Sequence, residues 1–193
     1  TLECHPNTVD KDYLFSIKSS GINRISFGIQ SFNQKYLDSL KLKQNRERNI
    51  RVIEMAQLVG FNTVAADIMY NFPEESISSL HDDLDLAISL GLNNISLYSI
   101  DPQVRGLEIN QATIDKEEDM FHYIFSVLSA ANYQQVAQPD YSLKGHENQQ
   151  IIDLWGSPQS YNIGFGAGAF SENYNGYIWA NVHDPKKYIK YIN

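Results

Sequence analysis

Polar side chains stand at the carboxyl ends of four successive predicted strands. In a parallel βα array these ends form one rim, and ligands bind there. Strand positions in such a sheet normally hold Val, Ile or Leu, so a polar group needs a partner or a purpose. Any single one could be a helix cap, a salt-bridge partner or a loop contact. Together they predict a polar ligand site on the rim, formed by Glu3, Gln30, Asp67, Ser96, Tyr98 and Asp101.

The composition is that of an ordinary globular protein. Of 193 residues, 42% are hydrophobic and 20% are charged. A formal net charge of −8 argues against a nucleic-acid-binding surface, which needs an excess of Lys and Arg. Apolar runs are too short for the ~20 residues of a membrane helix. No secretory leader opens the chain, so we expect a cytoplasmic protein without a membrane span.

Strand and helix patterns alternate over the first hundred or so residues, and these elements must position the rim. Strands are predicted at residues 1–4, 24–29, 61–69 and 95–100, and helices at 10–20, 33–40, 46–59 and 76–90. Strand–helix–strand repetition with short links is typical of a parallel sheet with right-handed crossovers. The sequence therefore predicts an α/β fold here.

The alternation then stops. A helix is predicted over residues 116–132, followed by short strand-like pieces rich in Tyr, Gln, Asn and Gly, and by a terminal helix over 185–192. We interpret this part as a second, α+β region. The predicted domains are residues 1–110 and 111–193.

Five segments, in order, resemble motifs of one protein family. Gly21–Asn33, which contains Arg-Ile-Ser-Phe-Gly-Ile-Gln-Ser-Phe, is similar to the family run Gly-Val-Asn-Arg-Ile-Ser-x-Gly-Val-Gln-Ser-Phe. Asp67–Pro73 resembles Asp-Leu-Ile-Tyr-Gly-Leu-Pro, and Leu2–Thr8 resembles a Glu-x-Asn-Pro strand end. The other two segments are Ile95–Ile100 and Gly164–Ser171. The family is the radical S-adenosylmethionine enzymes of the oxygen-independent coproporphyrinogen III oxidase group, which includes the related haem chaperones.

This resemblance implies the last four βα units of a partial TIM-like (radical S-adenosylmethionine) barrel, followed by the family's small C-terminal domain. The upstream barrel strands, absent from this chain, carry the Cys-x-x-x-Cys-x-x-Cys loop that ligates a [4Fe–4S] cluster. Cys4, the single cysteine, cannot hold that cluster alone. Without the upstream strands we expect an unpaired sheet edge, poor stability of the isolated chain or association through that edge.

The resemblance also implies the cofactor-binding residues. In the family the matching positions hold S-adenosylmethionine, with Glu3 and Gln30 at its ribose and polar portions and Asp67 alongside. The backbone around Ile68 lies close to the adenine, and Tyr98 belongs to the same rim. No metal-ligating spacing is found among the histidines, and no catalytic residue is assigned.

The chemistry implied is reductive cleavage of the sulfonium to a deoxyadenosyl radical that abstracts a substrate hydrogen. In coproporphyrinogen oxidase it ends in the oxidative decarboxylation of two propionates to vinyl groups. The expected partner is a tetrapyrrole substrate or haem, and this chain alone is expected to be inactive. Two alternatives are a haem-trafficking chaperone on the same scaffold and a decayed, non-catalytic relative.

Three departures from the family pattern bear on these alternatives. Leu42 stands where the family has an arginine for the cofactor carboxylate, with Lys41 and Lys43 as neighbouring point charges. Asn71 replaces a turn glycine. A chaperone-like His-Asn-x-x-Tyr-Trp segment aligns with Gln150–Trp155, which lacks the histidine.

Two smaller groups keep more than one interpretation, and Cys4 has one. Aromatic residues near the C-terminus either face a flat tetrapyrrole or form core. His5 abuts the rim, where it either joins the site or shapes the turn before Pro6. Cys4 is expected to be a small core residue. The aromatic residues are Tyr161, Phe165, Phe170, Tyr174, Tyr177 and Trp179.

Overall fold

The computed structural model describes residues 1–100, 111–156, 161–173 and 175–192. They fall into two compact units, one within Thr1–Glu147 and one within Asn148–Asn193. The predicted boundary at 110/111 adjoins residues 101–110, which lie outside the described part, so it stays a prediction.

A six-stranded sheet with the order β1-β2-β3-β4-β6-β5 organises the first unit. The pairs from β1 to β4 are parallel, and β6 and β5 add to this sheet as antiparallel strands. The strands are β1 Leu2–Cys4, β2 Arg24–Gln30, β3 Thr63–Tyr70, β4 Asn94–Ser99, β5 Tyr133–Ala137 and β6 Asp140–Leu143. The predicted parallel array of four strands is thereby confirmed.

Five helices connect and cover these strands. They are α1 Lys11–Ser19, α2 Gln34–Ser39, α3 Arg46–Val59, α4 Ile77–Ser89 and α5 Gln111–Ala130, preceded by a 3-10 turn at Pro6–Thr8. The side chains of Asp10, Asn33, Asn45 and Ser76 accept a backbone N–H at the starts of α1 to α4. These side chains pair backbone N–H groups that have no partner within the first turn of a helix, which explains why each helix begins there.

Alternation along the strands gives the sheet two different faces. On β2, Ile25, Phe27 and Ile29 are fully buried in the main hydrophobic cluster, together with residues of α1, α3, α4 and α5. The intervening residues of β2 are Arg24, Ser26 and Gly28. The helices therefore cover an apolar face, while the opposite face carries polar groups.

Strands β5 and β6 complete the sheet of the first unit. β6 pairs with β4, and α5 packs on α4 and β5. Strand alternation was the signal for the first four strands. It could not reveal an antiparallel hairpin that joins the same sheet after a helix, because that pairing is set by tertiary contacts.

The second unit contains α6 Gln149–Gly156, the hairpin β7 Phe170–Glu172 with β8 Ile178–Ala180, and α7 Pro185–Ile192. The Asp184 carboxylate accepts the Lys187 N–H at 2.8 Å and caps the start of α7. A Cβ on Gly164 would lie 2.3 Å from the Phe170 carbonyl oxygen, so this position requires glycine. Across the described ranges, none of the helices combines the length and apolar character that spanning a membrane demands.

Replacing Phe27 by alanine tests the apolar face. Phe27 is fully buried, so Phe27→Ala should lower the free energy of unfolding of the full-length protein by about 3–5 kcal/mol, because it leaves a cavity. Phe15→Ala on the surface of α1, where the side chain is 65% exposed, should change it by less than about 0.5 kcal/mol. Urea unfolding followed by circular dichroism measures both. Equal midpoints for the two variants would contradict this packing.

Candidate functional site

The polar face of the sheet gathers the charged groups of the first four strands and β6. Glu3 is in register with Ser26, and Asp67 is in register with Gly28 on one side and Ser96 on the other. Register partners in neighbouring strands lie on the same face, about 5 Å apart. This face, which we call the polar face, comprises Glu3, Arg24, Ser26, Asp67, Asn94, Ser96, Tyr98 and Asp140.

Gln30 reaches the polar face through a break in the strand register. Gly28 pairs with Asp67 but Gln30 pairs with Ile68, so β2 contains a bulge, and Gln30 has a φ of 67°. A Cβ on Gly28 would lie 3.0 Å from Gln30 Nε2. The amide of Gln30 therefore lies over Gly28, next to Asp67, in the space that a side chain at residue 28 would fill.

Asp67 is the central carboxyl group of the polar face. Ser26 Oγ lies 3.4 Å from its Oδ1. Burial, followed by the nearby charge of Glu3, raises the pKa of Asp67 to about 6, although the neighbouring Ser96 side chain and the charge of Arg24 oppose this rise. A carboxyl group with this pKa takes up or loses a proton close to neutral pH.

Arg24 is the buried cation of the polar face. Its Nη2 donates to Asn94 Oδ1 at 2.7 Å, and burial lowers the pKa of the guanidinium while Asp140, Asp67 and Glu3 raise it. Among the described residues no carboxylate forms an ion pair with Arg24, and its Nε is buried without a hydrogen-bond partner, so the three carboxyl groups stabilise the guanidinium only through their charge. With three carboxyl groups against one guanidinium, the polar face favours a positively charged ligand.

Sequence reasoning did not select Arg24 or Asp140 as site residues. Arg24 had a usable signal, since an arginine at the start of an otherwise apolar strand needs a partner. Asp140 had none, because it reaches the face only through the pairing of β6 with β4. There it accepts a hydrogen bond from Ser96 Oγ at 2.8 Å and is 3% exposed.

The two remaining predicted residues, Tyr98 and Ile68, lie on opposite faces of the sheet. Tyr98 lies on the polar face, in register with Met69, and its side chain is 46% exposed. Burial raises the pKa of its hydroxyl, as do the charges of Asp67, Asp140 and Glu3, so Tyr98 acts as a hydrogen-bond donor. The Ile68 side chain is fully buried in the apolar cluster, which leaves only its backbone for a ligand. Asp101 lies outside the described residues.

Asn71 and Lys41 adopt a left-handed backbone although neither is glycine. Asn71 has a φ of 68° and Lys41 a φ of 57°. Asparagine adopts this region readily, whereas lysine does so at some cost. The turn at Asn71, where the resemblance implies a glycine, therefore keeps a left-handed backbone. Leu42, beside Lys41, is half-buried and adds no charge.

His5 and Gln44 hold the loop that follows β1. His5 Nδ1 accepts the Asn7 N–H at 3.2 Å, and His5 Nε2 lies 3.2 Å from Gln44 Nε2. Gln44 Nε2 also donates to the Gly28 carbonyl at 2.9 Å. Of the two readings of His5, the structure supports the one in which it shapes the turn.

The described residues hold no group of three His, Cys, Asp or Glu side chains that could bind a metal ion.

Cys4 packs partly against the main apolar cluster, and burial raises the pKa of its thiol. It is therefore the small core residue expected from the sequence.

The aromatic residues of the second unit are mostly exposed. Phe165 is 86% exposed, and Trp179 on β8 is 45% exposed. Phe170 stacks edge-on against His183, with ring centroids 6.4 Å apart. Tyr174 lies outside the described residues, as do the side chains of Leu154 and Trp155 at the end of α6.

The first unit thus combines a sheet of parallel βα units, helices on one face and polar groups on the other. Residues 1–87 match the Radical SAM superfamily, which confirms the resemblance seen in the motifs. The fold matches coproporphyrinogen III oxidase (HemN) from Escherichia coli with a TM-score of 0.76 and 18% identity, over 98% of this chain and 48% of that one.

The curated relatives are of two kinds. The haem chaperone HemW of Lactococcus lactis is 26% identical over 98% of this chain and 52% of its own length. HemW of Escherichia coli is 29% identical over 86% of this chain and 45% of its own length. Oxygen-independent coproporphyrinogen III oxidase of Synechocystis is 26% identical over 89% and 40%. The chain thus spans about half of the length of these curated relatives, or somewhat less.

The raised pKa of Asp67 predicts a stability that falls with increasing pH. The folded protein holds this proton up to about pH 6, whereas the unfolded chain releases it near the ordinary value of 3.8. Ionisation therefore destabilises the fold, and stability is lost as pH rises through this interval. Asp67→Asn should stabilise the protein more at pH 8 than at pH 5, by about 1–2 kcal/mol.

Urea unfolding of the full-length protein at the two pH values measures this difference. Asp85→Asn removes the same charge from an exposed position on α4 and serves as the control. If both substitutions showed the same pH dependence, Asp67 would not have the environment described.

Proposed function

We propose that the protein containing this chain is a radical S-adenosylmethionine protein of tetrapyrrole metabolism, and that the polar face binds the S-adenosylmethionine. The placement of the Gln30 amide over Gly28, beside Asp67, carries this proposal. It puts an amide and two carboxyl groups, Asp67 and Glu3, on one face at the carboxyl ends of parallel strands. Ligands of such sheets bind at these ends.

The charges of the polar face suit this cofactor. S-adenosylmethionine carries a sulfonium, an ammonium and a single carboxylate, so its net charge is positive. Three carboxyl groups against the single guanidinium of Arg24 attract such a ligand. The arginine that the family uses to bind the cofactor carboxylate is replaced by the apolar Leu42. Lys41 and Lys43 are the cations next to Leu42 in the sequence.

Each residue then has a binding task. Glu3, which is exposed, accepts hydrogen bonds from ribose hydroxyls, and the Gln30 amide both donates and accepts. Asp67 is mostly ionised at pH 7 and accepts hydrogen bonds from hydroxyl or ammonium groups.

When bound together, S-adenosylmethionine and a [4Fe–4S] cluster supply radical chemistry at a carbon–hydrogen bond. The three thiolates for that cluster must come from outside this chain, which has one cysteine.

The comparisons support a tetrapyrrole as the substrate class. The structural relative is a coproporphyrinogen III oxidase, and curated relatives include both that enzyme and haem chaperones. We propose oxidative decarboxylation of propionate side chains as the reaction, with this chain as the cofactor-binding part of the barrel.

The decisive experiment measures cleavage of S-adenosylmethionine. The full-length protein, reconstituted anaerobically with iron and sulfide and then reduced, should form 5′-deoxyadenosine. Glu3→Gln and Gln30→Ala should each lower the rate at limiting cofactor by about tenfold, because each loses a hydrogen bond worth about 1.5 kcal/mol. Product formation is followed by liquid chromatography.

The matched control is Glu54→Gln, which makes the same chemical change at an exposed position on α3. It should keep the full rate. No cleavage above the level of a protein lacking the cluster cysteines would reject the enzymatic function and favour the decayed relative.

A haem chaperone is the second candidate, favoured by the match to HemW over 98% of this chain. Titrating the full-length protein with haem should then shift the Soret band with saturation at micromolar haem. The exposed aromatic residues of the second unit supply apolar area for the ring, so Phe165→Ala should weaken binding a few-fold. An unchanged spectrum would eliminate the chaperone.

A further inference from the structure

The backbone on both sides of Gln30 is held from the helix-covered side of the sheet. Asn49 on α3 is fully buried, and its Nδ2 donates to the carbonyl of Ile29 at 3.1 Å and to that of Ser31 at 3.2 Å. The Ile29 carbonyl belongs to the peptide group just before Gln30, and the Ser31 carbonyl belongs to the peptide group between Ser31 and Phe32. Asn49 thus holds the backbone on both sides of the left-handed residue.

A buried carboxylate on α4 holds the next two residues. Both carboxylate oxygens of Asp83 lie 3.2 Å from the Phe32 N–H, and the Ser31 hydroxyl donates to Oδ2. Asp83 is 2% exposed and Ser31 is fully buried. The Ser31 hydroxyl in turn accepts the Asn33 N–H at 2.9 Å, and Asn33 caps α2.

Stability alone does not account for these polar groups. Among the described residues, Asn49 Oδ1 is buried without a hydrogen-bond partner, which costs about 1–3 kcal/mol. Gln30, at φ 67°, also occupies a region that is unfavourable for its residue type. Backbone strain of this kind persists only where the surroundings enforce it, and it clusters at functional sites.

We propose that Asn49 and Asp83 are positioning residues that hold segment 29–32 so that the Gln30 amide stays over Gly28 beside Asp67. They act through the backbone and do not touch the ligand. The inference rests on the proposed function, because it assigns the held amide to S-adenosylmethionine.

The first experiment requires no cofactor. Hydrogen–deuterium exchange of the full-length, cluster-free protein should show amides of residues 31–33 exchanging about tenfold faster in Asn49→Asp and in Asp83→Asn. Asn49→Asp turns a carboxylate toward two carbonyl oxygens, and Asp83→Asn weakens the acceptor for Ser31 and Phe32.

Each variant has a matched control. Gln57, on the same helix as Asn49, also donates its amide to two backbone carbonyls, those of Leu90 and Gly91, so Gln57→Glu repeats the change far along the chain from Gln30. Asp82→Asn removes the same charge from the exposed residue preceding Asp83. Both controls should leave exchange at residues 31–33 unchanged. Exchange that is unaltered in Asn49→Asp and Asp83→Asn would overturn the proposal.

The second experiment measures the Kd of S-adenosylmethionine for the reconstituted full-length protein by calorimetry. Asn49→Asp, Asp83→Asn and Gln30→Ala should each raise Kd by about tenfold. Adding Gln30→Ala to Asp83→Asn should raise it little further, because both changes remove the same contact. Additive effects, or faster exchange with unchanged Kd, would refute the positioning role.

The two proposals fail in different ways. If Gln30→Ala itself left Kd unchanged, the cofactor assignment would fail, while the exchange experiment would still decide whether Asn49 and Asp83 hold the segment. Should either substitution prevent folding, Ser31→Ala removes only the hydroxyl between Asp83 and Asn33. It should speed exchange at Phe32 and Asn33 and raise Kd, and failure to do both would refute the proposal.

Discussion

The charge balance around the buried guanidinium of Arg24 is the constraint on which the polar face depends. Glu3, Asp67 and Asp140 all act on this one cation, and Asn94 accepts its hydrogen bond. Without a buried cation, these three carboxyl groups, which lie on every second strand of the sheet, would repel one another or take up protons. Even with it, burial and the charge of Glu3 keep the pKa of Asp67 at about 6. The face is therefore stable enough to fold and still attractive to a positive ligand.

Packing on the apolar face of the sheet positions groups on the polar face. Ile25, Phe27 and Ile29 anchor β2 to the helices, and two polar residues on those helices, Asn49 and Asp83, reach the strand end where the backbone turns left-handed at Gln30. A side chain on the ligand side is thus controlled from the opposite side of the sheet. This arrangement is possible because a strand transmits the position of its backbone to both faces at once.

The departures that the motif resemblance implies affect the backbone and the charge differently. Asn71 keeps a left-handed backbone with a φ of 68°, so a turn that suits glycine is formed without it. Leu42 is apolar and supplies no charge. Under the proposed function, recognition of the cofactor therefore depends mainly on Glu3, Gln30 and Asp67.

Local sequence was sufficient for the four parallel strands, the positions of the first four helices and the strand-end positions of Glu3, Gln30, Asp67 and Tyr98, because periodicity and strand ends are short-range properties. Tertiary structure alone decided that Asp140 joins the polar face, that Arg24 is buried near its carboxyl groups and that the Gln30 amide lies over Gly28. Each of these depends on groups distant in sequence: β6 beside β4, Asn94 opposite Arg24, and Asn49 and Asp83 behind Gln30. A pattern along one strand contains no information about which residues another strand or helix brings against it.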